Sequence, residues 1–242
     1  MNPFSLEGRT ALVTGANTGI GQAIAISMGR AGAKVICAGR RSCAETVAQI
    51  EGAREITLDF ADPMAARDVF SGEPIDILVN NAGIIRRSDA VDMREEDWDA
   101  VIDVNQKALF FTSQAFARAV FDRGGTGAIV NIASLLAFQG GIRVAAYTAS
   151  KHAVAGITRV LANEWAARGI NVNAIAPGYI ETNNTEALRN DPDRSQAILD
   201  RIPAGRWGEA KDIGEAAVFL ASPAAGYIHG TVLSVDGGWL AR

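Results

Sequence analysis

Histidine and cysteine are scarce in this chain, whose 242 residues include two of each. Cys37 and Cys43 lie six residues apart with no extracellular cue, so reduced thiols are expected and a disulfide framework is not. The only histidines are His152 and His229, and no Cys/His cluster has ligand spacing, so no metal is expected. Long apolar runs are missing as well. None approaches the roughly 18 residues of a membrane-spanning helix, and no membrane partner is expected. Nor is there an excess of positive charge: a net charge of -4 offers no general attraction to phosphate backbones, which makes nucleic acid a poor partner. The opening "MNPFSLEGRTALVTG" has no basic segment followed by an apolar stretch and a cleavage site, so the cytoplasm is the expected compartment. Repeats, low-complexity tracts and charge runs are also absent. The one loose stretch, "ETNNTEALRNDPDRSQ" from Glu181 to Gln196, reads as a lid. The expectation is one domain over residues 1–242 with a substrate lid at 181–206.

Hydrophobic residues make up 48% and charged residues 21%, a balance that suits a globular chain with a full core. Seven short apolar runs are bounded by Gly, Asn, Asp or Pro: "TALVTG", "AKVICAG", "REITLDF", "IDILVNNAG", "GAIVNIAS", "INVNAIAPG" and "TVLSVDGG". They read as strands buried on both faces. Between them lie segments with three- and four-residue apolar spacing, such as "GQAIAISMGRAG", "EEDWDAVIDVNQKALFFTSQAFARAVFDRG" and "YTASKHAVAGITRVLANEWAARG". Buried strands joined by helices require parallel pairing. The fold class is α/β, a Rossmann-type doubly wound sheet of seven parallel strands with helices on both faces.

The first strand-to-helix turn, "TGANTGIG", places Gly15, Gly19 and Gly21 where backbone must approach a pyrophosphate at a helix N-terminus. Asn17, Thr18 and Ile20 belong to the same cofactor-binding turn. No Walker Lys-Ser/Thr pair follows Gly21, which argues against a nucleoside triphosphatase. The second strand ends "ICAGRR", with Gly39 where an acid would read an NAD ribose, and with Arg40 and Arg41 next. Those cations lean the reading from NAD(H) toward NADP(H). Further on, "AAYTASKHAV" puts Tyr147 and Lys151 four residues apart, on one helix face. A lysine there is expected to lower the phenol pKa and so prepare a proton relay. There is no G-x-S-x-G, so serine hydrolase chemistry is disfavoured.

With "TGANTGIG", "NNAG" at Asn80 to Gly83, a serine ending the fifth strand and "YTASK" in this order, the sequence resembles the short-chain dehydrogenase/reductase family along essentially its whole length. The resemblance implies a catalytic tetrad of Asn105, Ser134, Tyr147 and Lys151. Tyr147 would be the general base or acid, Ser134 would orient the same oxygen, Lys151 would also hold the nicotinamide ribose, and Asn105 would serve a water-mediated proton path. It implies further cofactor contacts from Asp59, from Asn81, Ala82 and Gly83, from Tyr147 and Lys151 themselves, and from Pro177, Gly178, Ile180 and Thr182, together with a homotetramer. Asp59, after an apolar strand, could equally be a helix N-cap. Stretches such as "GIIRR", "FQGGIRV", "TNNTEALR" and "VDGGWLAR" resemble the branch of the family that acts on six-carbon deoxy sugar acids. An arginine-rich pocket suits such carboxylates. Arg143, Gln139 and Arg86 are the expected substrate contacts, with Arg87 a rival beside Arg86 and Arg206 flanking the lid. The basic "GRR" conflicts with the NAD preference usual in that branch. The alternatives are a 3-oxoacyl-carrier-protein reductase, which shares the tetrad, and a non-catalytic dinucleotide sensor, which would not need Tyr147 and Lys151 together.

Overall fold

Each apolar run forms a strand, and in the central strands successive side chains point into two different cores, whereas the edge strand from the third run is mostly exposed and that from the seventh only half-buried. The structure is a computed structural model and describes residues 2–242. Its strands are β1 (Thr10–Thr14), β2 (Lys34–Gly39), β3 (Arg54–Thr57), β4 (Ile77–Asn80), β5 (Gly127–Ile132), β6 (Ile170–Pro177) and β7 (Val232–Val235). Its helices are α1 (Gly19–Arg30), α2 (Ala44–Val47), α3 (Glu95–Ile102), α4 (Ala108–Asp122), α5 (Ala145–Trp165), α6 (Glu186–Arg189), α7 (Pro192–Leu199) and α8 (Ala210–Ala221). Val13, Val35, Val79 and Val130 pack with Ile24 and Met28 of α1 and with Ile213 and Ala217 of α8. The intervening Leu12, Ile36, Leu78 and Ile129 pack on the opposite side, with Phe116 and Val120 of α4 and with Leu161 and Trp165 of α5. Two-sided burial explains why these strands read as continuous apolar runs.

All seven strands run parallel in the order β3-β2-β1-β4-β5-β6-β7. The expected doubly wound sheet is therefore present. After β3 the chain returns past β1 to build the other half from β4. The switch point lies between the C-terminal ends of β1 and β4, where α/β sheets open a crevice for ligands.

The long segment expected as one helix over 95–124 is interrupted without a gap. Residues Asp103–Lys107 form a π turn between α3 and α4. Such a turn inserts one residue into the helical path and is frequent at functional sites. Here it carries the buried Asn105. The expected lid contains α6 and α7. The N-terminus of α7 is capped by Asp191, whose side chain accepts from the Arg194 amide, with Pro192 in the first turn.

A buried polar chain ties the sheet to its helices. Asn80 Nδ2 donates to Ser113 Oγ (3.0 Å) and to Asn131 Oδ1 (2.9 Å), and Asn131 Nδ2 donates to Thr158 Oγ1 (2.9 Å). Ser113 and Thr158 donate back to the carbonyls of Leu109 and Val154. Each buried amide thereby gains partners, as burial of polar groups demands.

Candidate active site

Thr14, the last residue of β1, fastens the two sides of the crevice. Its hydroxyl donates to the Val79 carbonyl (3.1 Å) and accepts from the amides of Asn81 and Ala82 (both 2.9 Å). Asn81 Nδ2 returns the contact to the carbonyls of Thr14 (2.9 Å) and Gly15 (3.2 Å). The turn allows no side chain at Gly21, where a Cβ would lie 2.2 Å from the Gly15 carbonyl oxygen. Thr18 is the N-cap of α1, and its side chain makes no capping bond, so the amides of the first turn stay available to an anion. Thr182 lies across the turn, its methyl 3.5 Å from where a Gly19 Cβ would stand. Thr182, at the end of the segment after β6, therefore faces the glycine turn. These features fit a dinucleotide.

At the end of β2, a Cβ on Gly39 would lie 3.2 Å from the Arg41 carbonyl and 3.4 Å from Cys43 Sγ, so an acidic side chain is poorly accommodated there. Arg40 and Arg41 are exposed. Asp59 follows β3, and its Oδ1 accepts from the Ala61 amide (3.0 Å), which caps a turn and not the helix N-terminus that was the alternative reading, since turns and no helix follow it.

The end of β5 and the start of α5 bring Ser134, Tyr147 and Lys151 together. Lys151 is buried, and its Nζ donates to the Ile132 carbonyl (2.6 Å). Burial without a carboxylate lowers its pKa to about 8. Its ammonium stands 5.5 Å from the Tyr147 ring centroid. Contrary to expectation, the phenol pKa is not lowered. Burial raises it, and the opposing effects come from a hydrogen bond with Ser134 and from the charge of Arg87. The cause is desolvation, which disfavours the phenolate of the half-buried Tyr147 and the ammonium of the buried Lys151 alike. Ser134 Oγ also accepts from the Leu136 amide (3.2 Å).

Asn105 is positioned by its π turn and is fully engaged. Its Oδ1 accepts from the Ile84 amide (2.8 Å), and its Nδ2 donates to the Ile84 carbonyl (2.9 Å) and Ser150 Oγ (3.2 Å). The amide thus locks the segment after β4 to α5. It presents no free side-chain donor for a proton path.

The arginines separate by their partners. Arg143, the expected carboxylate anchor, pairs with Asp89 (3.3 Å), and it is the one non-glycine residue with positive φ (63°) among the described residues. Its carbonyl accepts from the Ser88 amide (3.2 Å). Arg143 therefore clips its loop to the segment after β4. Arg86 pairs with Asp97 (3.3 Å), and Arg206 with Asp212 (2.8 Å). Gln139 Oε1 accepts from Trp239 Nε1 (3.3 Å). Arg87 has no ion pair among the described residues, and it lies close enough to Tyr147 to pull the phenol pKa down. Arg143, by contrast, is paired with Asp89.

A glycine turn at the switch point of a parallel sheet, in one chain with a tyrosine and a buried lysine one helical turn on, defines a dinucleotide-dependent oxidoreductase. The chain belongs to the short-chain dehydrogenase/reductase family. A family model described as enoyl-(acyl carrier protein) reductase matches residues 15–240. A 2-dehydro-3-deoxy-D-gluconate 5-dehydrogenase of Bacillus subtilis is 56% identical over 248 residues, covering 99% of this chain and 97% of that protein. Another of the same name, from Dickeya dadantii, is 52% identical over 251 residues, covering 100% and 99%. A crystal structure from Agrobacterium tumefaciens, provisionally described as a 2-deoxy-D-gluconate 3-dehydrogenase with bound NADP, matches with a TM-score of 0.99 at 66% identity over 100% of both chains. No helix among the described residues is long and apolar enough to cross a membrane.

Proposed function

We propose that this chain is an NAD(P)(H)-dependent dehydrogenase interconverting a secondary alcohol and a ketone on a six-carbon deoxy sugar acid. The activity would be of the 2-deoxy-D-gluconate 3-dehydrogenase or 2-dehydro-3-deoxy-D-gluconate 5-dehydrogenase type, in a cytoplasmic homotetramer. The observation that carries the reading is Tyr147, which shares the end of β5 with Ser134 and with a lysine tied to the Ile132 carbonyl. The nicotinamide, when bound, gives or takes the hydride. In ketone reduction the Tyr147 phenol gives its proton to the carbonyl oxygen, and in alcohol oxidation the phenolate takes it back. Ser134 donates a hydrogen bond to that same oxygen. Lys151 keeps two N–H groups beyond the one on Ile132, and these suit ribose hydroxyls. Asn105 acts by placement, holding the Ile84 segment against α5.

The glycine turn, Asn81 to Gly83 and Pro177 to Thr182 would hold the dinucleotide, with the 181–206 segment as lid. Preference for NADP(H) is supported by the missing acid at Gly39, by the two exposed arginines after it and by the NADP in the Agrobacterium relative. Arg87 is the favoured carboxylate anchor, because Arg143 and Arg86 already bind aspartates. The acyl-carrier reading would need a basic surface for an acidic partner, and the net charge is -4. The test is a panel of sugar acids and acyl thioesters with each nucleotide, followed by the absorbance of the reduced nicotinamide. Turnover of the sugar acids supports the proposal, and turnover of acyl thioesters alone overturns it.

A further inference from the structure

The turn after β2 holds two cations and a carboxylate that do not pair with one another. Arg40 and Arg41 are exposed and make no ion pair among the described residues. Glu55 reaches the same turn from β3, the edge strand, where it sits opposite Cys37 in register. Its Oε2 accepts from Ser42 Oγ (3.0 Å) and from the Cys43 amide (2.5 Å), and its Oε1 lies 3.3 Å from the same hydroxyl. The adjacent Arg54 is engaged by Glu73, and Glu55 has no cationic partner among the described residues. The carboxylate is therefore bound entirely by a hydroxyl and an amide of the turn that presents the arginines.

This placement has two opposing effects. Pinning Ser42 and Cys43 fixes the backbone from which Arg40 and Arg41 project. At the same time it occupies two donors that a phosphate in this turn could otherwise use, and it sets a negative charge in the turn. A phosphate monoester carries close to two negative charges, whereas NAD(H) offers only a 2′-hydroxyl at that point. The repulsion therefore falls on one nucleotide and not on the other.

We propose that Glu55 is a specificity-determining residue: its carboxylate limits the affinity of the Arg40–Arg41 turn for a 2′-phosphate and so keeps NAD(H) competitive with NADP(H). The inference rests on the reading of Arg40 and Arg41 as the 2′-phosphate ligands. It is tested by calorimetric Kd values for NADPH and NADH on the full chain, in the wild type, Glu55→Gln and the Arg40→Ala/Arg41→Ala double variant. In Glu55→Gln, NADPH binding should tighten roughly three- to tenfold while NADH changes by less than about twofold, and the gain should shrink as salt screens the charge. Glu55→Ala, which removes charge and tether together, should move the ratio the same way. An unchanged NADPH-to-NADH ratio, or parallel weakening of both nucleotides, overturns the inference and leaves Glu55 a structural tether. If the double arginine variant binds NADPH as the wild type does, the phosphate reading falls and the inference with it. A selective loss in that variant beside an unchanged ratio in Glu55→Gln overturns the inference alone.

Discussion

At the scale of single residues, Tyr147 and Lys151 are both pushed by burial toward their neutral forms. A protonated phenol is ready to donate in ketone reduction, and alcohol oxidation requires its phenolate. Alcohol oxidation is predicted to accelerate as pH rises through the alkaline range. Profiles of kcat/KM in both directions check this, and an acidic optimum for oxidation would contradict it. The same burial has a sign for stability. Lys151 has a folded pKa of about 8, below the roughly 10.4 of an unfolded lysine. Between those values the unfolded chain binds more protons, so the Lys151 contribution should make stability rise with pH across that window. The arginines allow a second prediction. Arg87→Leu should raise KM for sugar acids roughly ten- to a hundredfold, the loss of a charge-assisted contact of about 1.5–3 kcal/mol, and should spare neutral polyols. Arg143→Leu should impair charged and neutral substrates alike, because it releases the Asp89 clip. Equal effects from the two variants would contradict the assignment. The residue types of the tetrad were legible in the sequence, through family resemblance. The electrostatics were not, because they depend on burial and on the Ile132 carbonyl, which lies nineteen positions from Lys151.

At the scale of elements, the polar chain from Asn80 through Asn131 to Thr158 holds β4 and β5 to α4 and α5 beneath the site. Asn131→Val is predicted to destabilise by about 1–3 kcal/mol, because it strips a buried amide donor and a buried hydroxyl of partners. The half-exposed pair Arg54–Glu73 should contribute only about 0–1 kcal/mol. Chemical denaturation of Asn131→Val and of Glu73→Ala compares the two, and an equal or reversed ranking would contradict the role of the network. The central strands could be read from the sequence because burial on both faces writes an apolar run bounded by turn formers; β3, exposed at Arg54, Glu55 and Thr57, and the half-buried β7 were legible from their short β-forming runs between turn residues. The π turn at Asp103–Lys107 could not. One inserted residue barely disturbs an apolar pattern that already varies between three and four, and its signature is a hydrogen-bond shift.

At the scale of the molecule, strand order decides where chemistry can occur, and local patterning says little about order. The sequence supports βα repetition. It does not say that β4 pairs with β1, yet that pairing brings Asn81 against the Gly15 turn. Assembly belongs to this scale as well. Val160 on α5 is half exposed, and helix faces of this kind suit isologous contacts. Light scattering at micromolar concentration should give a tetramer, and a monomer would remove that part of the account. The central claim is that Tyr147 moves the proton while other residues hold the nucleotide. It is tested most directly by Tyr147→Phe, with kcat on a sugar acid and nucleotide Kd measured on one preparation. The account predicts a fall in kcat of at least about a hundredfold, within the range for lost general acid–base groups, with Kd nearly unchanged. A variant that kept more than about a tenth of kcat, well short of such losses, would contradict it.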